Sequence, residues 1–164
     1  MELTGFLDAG TGCMKGLIAG VLLAAALAGC GEIGDAEIED AWVRLPAAPG
    51  RPGAAYFHLR TGAKPVTLVK VTTPAAVRSE LHESMKGHHG AMTMAPLPQV
   101  SLQPGESVSF APGGKHVMLF DVNPALEAGT MVPLTLHVAG DAPRTIDALV
   151  VAPGAPAPKP EGRS

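Results

Sequence analysis

The chain reads as an all-β domain, a sandwich or barrel of short antiparallel strands, on three observations. Gly and Pro number 20 and 16 among 164 residues, a density that interrupts long helices and supplies the turns that many short strands require. Ten β-prone runs alternate with those turn signals along the chain, the spacing of a sandwich or barrel. No internal repeat of about 20 to 50 residues is apparent, so a solenoid or propeller is not indicated. At this length the chain buries a core without needing covalent staples.

The elements follow in order. From Met14 a single positive charge at Lys15 precedes an uncharged run from Gly16 to Gly29, 14 residues long and short of the roughly 20 that cross a bilayer as a helix. Leu27-Ala28-Gly29-Cys30 is similar to the bacterial lipobox, in which the cysteine becomes the lipid-bearing first residue of the mature chain. Residues 1–29 are therefore expected to be a signal peptide and Cys30 a lipidation site. Glu2 and Asp8 precede Lys15, which is the wrong charge order for a signal peptide, so translation is expected to start at Met14. Export without residues 1–29 leaves 13 acidic and 11 basic side chains and no cysteine after position 30. A disulfide is then excluded although the compartment permits one.

Residues 30–37 are small and acidic, a linker between lipid and domain. The predicted strands are Ile38–Arg44, Ala54–Arg60, Val66–Thr73, Ser79–Met85, Ala91–Leu97, Gln99–Leu102, Ser107–Phe110, His116–Asn123, Val132–Val138 and Thr145–Val151. Pro49-Gly50, Pro104-Gly105 and Pro112-Gly113-Gly114 separate several of them. Only Pro124 to Gly129 reads as a helical turn. The folded domain is predicted over 38–151. The last 13 residues, 152–164, hold four prolines and no large apolar side chain, and are expected to be extended and disordered.

Several function classes lack their residues. The formal charge of −3 offers no basic field for nucleic acid. There is no Gly-x-Ser-x-Gly, no His-Glu-x-x-His, no phosphate loop and no mature cysteine nucleophile, so no enzyme activity is expected.

What concentrates instead is soft-donor chemistry. The window from His82 to Met118 holds four of the six His (82, 88, 89 and 116) and four of the five Met that follow the signal segment (85, 92, 94 and 118). Thioether sulfur is a soft, neutral donor, and together with imidazole it favours Cu(I) over zinc, magnesium or calcium. His116 and Met118 are two residues apart, hence on one face of an extended strand, as are Met92 and Met94. His82 lies across the loop from 85 to 90 and can approach the same place. The candidate ligands are His82, Met94, His116 and Met118, with Met85, His88, His89 and Met92 as auxiliary donors. His58 and His137 read as surface or internally satisfied residues. A blue-copper electron carrier needs a Cys thiolate and is excluded by composition.

The spacing is also familiar: His82, eleven residues, Met94, twenty-one residues, then His116-Val117-Met118. This resembles the PCu(A)C family of periplasmic copper chaperones, whose motif is His, an optional Met, ten residues, Met, 21 residues, His-x-Met. Asp40-Ala41-Trp42-Val43-Arg44, Glu80-Leu81-His82-Glu83 and Pro112-Gly113-Gly114-Lys115-His116 are similar to family segments as well. The optional Met is Glu83 here, and the His88-His89 pair adds imidazoles suited to a second ion, Cu(II). The resemblance implies a cupredoxin-like β-sandwich of Greek-key type and binding of Cu(I). It further implies a monomer on the periplasmic side of a bacterial membrane that hands copper to cytochrome c oxidase subunit II, at its dinuclear centre, or to another copper chaperone. Copper sequestration and a metal-free lipoprotein scaffold are the competing expectations.

Overall fold

The computed structural model describes residues 36–86 and 92–159. The signal segment, Cys30, the His88-His89 pair and residues 160–164 lie outside the described residues. Ten strands follow one another: β1 (Glu37–Arg44), β2 (Gly53–Arg60), β3 (Val66–Thr72), β4 (Ala76–Lys86), β5 (Met92–Pro96), β6 (Val100–Leu102), β7 (Ser107–Phe110), β8 (Lys115–Val122), β9 (Met131–Val138) and β10 (Arg144–Val151). They form one hydrogen-bonded sheet in the order β5-β4-β8-β7-β2-β1-β10-β9-β3-β6, with β2 also pairing β8. The sheet wraps around a single core, giving the cupredoxin-like β fold. Among the described residues no helix is long and apolar enough to cross a membrane.

Every predicted strand is present. The largest shift is in β4, which begins at Ala76, three residues earlier than expected. Pro124 to Gly129 is not a helical turn. Asn123 organises it instead: its carbonyl accepts from Leu126 N at 3.0 Å and its side-chain oxygen accepts from Ala125 N at 3.0 Å, an Asx turn that competes with helix formation. The antiparallel expectation holds for most pairs, but β7 meets β8 in parallel at Phe110 and Lys115, and β1 and β10 run parallel through Trp42–Arg44 and Leu149–Val151. A pairing between strands so far apart in the chain leaves no local signature.

Alternation sorts each strand's side chains between the core and the outside. Ala55, Phe57 and Leu59 of β2, Val117 and Leu119 of β8, Leu134 and Leu136 of β9, and Val150 of β10 are buried together. Phe57 stacks on Phe110 with ring centroids 4.3 Å apart. A bulge between Glu39 and Trp42 interrupts the β1–β2 ladder and takes Asp40 to φ 52°, a left-handed conformation that Asp tolerates better than most side chains. Past the bulge, Val43 points into the core and Trp42 to the opposite face, where it stacks on Tyr56 at 4.2 Å. Arg44 covers that pair, its guanidinium 4.9 Å from the Trp42 ring and 5.6 Å from Tyr56. The same guanidinium donates to the Ala155 carbonyl at 2.8 Å, so the chain after β10 is fastened to this face.

Candidate metal centre

The outer face of β4, β8 and β5 carries the soft donors. His82 of β4 is directly opposite His116 of β8, and Glu80 is opposite Met118. On the other side of β4, Met94 of β5 is opposite Ser84 and Met92 is opposite Lys86. Since side chains two apart share a face, His82, His116, Met118, Met94 and Met92 all project from one side of the sheet. Met85 pairs with Thr93 and belongs to the other side, so the structure separates it from the two imidazoles.

The turn before β8 explains how His116 is placed. Ala111, Pro112, Gly113 and Gly114 close a β-turn through Gly114 N to the Ala111 carbonyl at 3.0 Å. Pro112 takes the position where φ near −65° is required, and Gly113 adopts φ 83°, the type II pattern. The Gly114 carbonyl then accepts from Ser84 N at 3.0 Å and from His116 Nδ1 at 3.0 Å. One carbonyl therefore ties the turn to β4 and orients the imidazole. Because it only accepts, His116 Nδ1 carries the hydrogen and Nε2 presents a bare lone pair when the ring is neutral.

His82 is set in the complementary way. Its Nε2 lies 3.0 Å from Glu80 Oε2, and an ionised carboxylate only accepts, so Nε2 is the donor. Nδ1 is buried and has no hydrogen-bond partner. The two rings stand 6.1 Å apart between centroids at 38°. Glu80 is in turn paired with Arg78, whose guanidinium sits 3.8 Å from the Phe120 ring. The hydrogen bond from His82 is the main reason that the Glu80 carboxyl lies below its ordinary range; desolvation opposes this and the Arg78 charge adds to it. Sequence reasoning missed Glu80. Its signal was the i, i+2 spacing to His82 on a strand.

An orphaned buried nitrogen on one imidazole and a bare nitrogen on a second, in rings whose centroids are 6.1 Å apart, fit a metal ion that accepts two neutral nitrogens. Among the described residues no group of three or more His, Cys, Asp or Glu converges. The remaining soft donors on this face among the described residues are thioethers, and Met118 is the nearest by register, diagonal to His82 across one strand gap. Met94 is the outlying member. It is 60% exposed, and from strand spacing and rise its Cα is about 16 Å from that of Met118 in a flat sheet, more than two Met side chains span through one metal. The β4–β5 hairpin must curl inward for Met94 to join. Met92 is farther out and also exposed. His137 is satisfied by Thr72 Oγ1 at 2.9 Å. A groove of about 1000 Å³ lined by Pro46, Pro49, Pro74, Val122 and Pro124 opens at the far end of β8 and contains none of the donors.

A wrapped β-sheet carrying a histidine in register with the histidine of a His-x-Met strand places the chain among PCuAC-type domains. The apo PCuAC domain from PmoF1 is 30% identical, covering 73% of this chain and 96% of that one with a TM-score of 0.60. The copper-bound PCuAC domain from PmoF2 is 27% identical, covering 73% and 95% with a TM-score of 0.58. The solution structure of apo-DR1885 from Deinococcus radiodurans shares the fold, at 22% identity, coverage of 92% and 97%, and a TM-score of 0.51. The family model for LpqE-like lipoproteins matches residues 36–150, and the chain belongs to that family. A protein of Leifsonia xyli subsp. xyli (strain CTCB07), Lxx21020, named as a lipoprotein, is 33% identical over 102 residues, 62% of this chain. The match spans 60% of that relative's length.

Proposed function

We propose that the protein is a lipid-anchored, extracytoplasmic copper chaperone that carries Cu(I) on His82, His116, Met118 and Met94. The observation that carries this reading is the pair of bare imidazole nitrogens, one of them buried without a partner, lying in register on adjacent strands with Met118 beside them. The PCuAC neighbours and the family match support it. All four ligands are neutral, so the site binds a soft monovalent ion without burying an unpaired anion.

The protein's part is to hold and to let go. His116 is oriented by Gly114 and His82 by Glu80, so two ligands are prepared in advance. Incoming Cys thiolates of a client displace the thioethers first and then the imidazoles, and no bond of the chaperone is made or broken. The client assigned here is the dinuclear centre of cytochrome c oxidase subunit II, and Cys30 is assigned as the tether that keeps the carrier at the membrane.

Anaerobic Cu(I) titration against a competing chelator tests the site: His116→Ala and Met118→Ala are expected to lose most of the affinity, and wild-type affinity in both refutes the assignment. Delivery is tested separately by deleting the gene and measuring oxidase activity at limiting copper. A copper-rescuable defect is expected; sensitivity to excess copper alone would instead indicate storage.

A further inference from the structure

We infer that Glu80 is a positioning residue that fixes the proton of His82 on Nε2, so that this imidazole binds its metal through Nδ1 while His116 binds through Nε2. The inference rests on the reading of His82 and His116 as ligands and adds which atom of each does the work and what selects it.

Four contacts build the device. Glu80 Oε2 takes the Nε2 hydrogen of His82 at 3.0 Å. The opposite nitrogen, Nδ1, is buried and unpartnered. His116 shows the mirror arrangement, with Nδ1 donating to the Gly114 carbonyl at 3.0 Å. Arg78 holds the Glu80 carboxylate from its other side while resting on Phe120. Arg78, Glu80 and His82 are alternate residues of β4, so all three share the outer face and the chain of contacts runs along a single strand.

The consequence is energetic. A neutral imidazole without a partner distributes its proton between two nitrogens, and only the fraction with Nδ1 bare is competent at His82. Apparent affinity falls by that fraction. A carboxylate that accepts from the far nitrogen removes this loss and also makes the ligating nitrogen more basic. Outer partners of metal-bound histidines contribute about 10- to 100-fold in affinity.

The test uses the full-length protein with ¹⁵N-labelled histidine. In the apo wild type, His82 is expected in one tautomer, with hydrogen on Nε2 and none on Nδ1. Adding Cu(I), which is diamagnetic, should move the Nδ1 resonance of His82 and the Nε2 resonance of His116. Glu80→Ala is expected to give averaged tautomer signals for His82 and to weaken Cu(I) by about 10- to 100-fold in chelator competition. Glu80→Gln keeps an accepting oxygen and the side chain's shape, so a smaller loss is expected. Movement of Nε2 of His82 on Cu(I) addition would overturn the inference, as would a single unchanged tautomer with unchanged affinity in both variants. Imidazoles that ignore Cu(I) in the wild type would defeat the copper reading itself. Imidazoles that respond while both variants match wild type would defeat only the role of Glu80.

Discussion

Neighbouring residues of β8 should respond in opposite ways to truncation. Leu119 is fully buried, 0% exposed, and its strand is held on both sides, by Ser79 of β4 and Gly53 of β2. Such a site cannot collapse around a void, so Leu119→Ala should cost about 3 to 4 kcal/mol, within the ~2 to 5 found for core leucines. Met118 is half-buried on the outer face, and Met118→Ala should cost the apo protein about 1 kcal/mol or less. Copper should bring the two variants to a similar total loss, because only one of them forfeits the stabilisation by ligand. Ligand at about 100 times its dissociation constant stabilises a folded state by about 2.7 kcal/mol. Leu119→Ala should keep that increment, because its side chain points away from the donors, whereas Met118→Ala should lose most of it. Urea unfolding, run anaerobically with and without Cu(I), measures all four quantities. An apo loss in Met118→Ala as large as that in Leu119→Ala, or a vanished copper increment in Leu119→Ala, would refute the assignment of the two faces of β8.

Three further outcomes are expected. Tyr56 is the only tyrosine and its pKa is raised, chiefly by burial and despite the Arg44 charge; alkaline absorbance titration should show ionisation above the ordinary value near 10, and stability should fall as pH rises from the unfolded value through the folded one. Glu80 has the opposite sign: its contribution is present above the ordinary carboxylate range and lost as pH falls through the depressed value, so acid unfolding of Glu80→Gln should lack that component. Gly113 holds φ 83°, and Gly113→Ala should cost about 1 to 2 kcal/mol in urea unfolding through the left-handed strain alone.

Much of the fold was legible because β-prone runs and Pro-Gly turns are local. The start of β4 was not. Val77 is 83% exposed and follows Pro74 closely, and the alanines before it favour strands weakly, so no alternation of apolar and polar residues marks this stretch until the ladder to β8 is seen. The β1–β10 pairing depends on both ends of the domain. Spacing on a strand correctly put His116 with Met118 on one face, and Met92 with Met94. It could not tell that β5 lies one strand beyond His82, which leaves Met94 exposed. A carboxylate is a poor partner for Cu(I), so soft-donor chemistry does not single out Glu80, whose contact is with the His82 imidazole instead. The tail was read from its prolines alone, and the Arg44 hydrogen bond to Ala155 arises from a side chain more than a hundred residues earlier.

β5 is the last strand at one end of the sheet, bonded only to β4. The two imidazoles sit on an interior pair of strands, β4 and β8, while Met94 rides on the edge strand. On the proposed copper reading, an ion held between them would have imidazoles on an interior strand pair and a thioether on an edge strand. Unloading would then have an order: the edge thioether would open first and expose the ion on the side of β5, and the imidazoles would surrender it last. A client's first sulfur would approach from that edge.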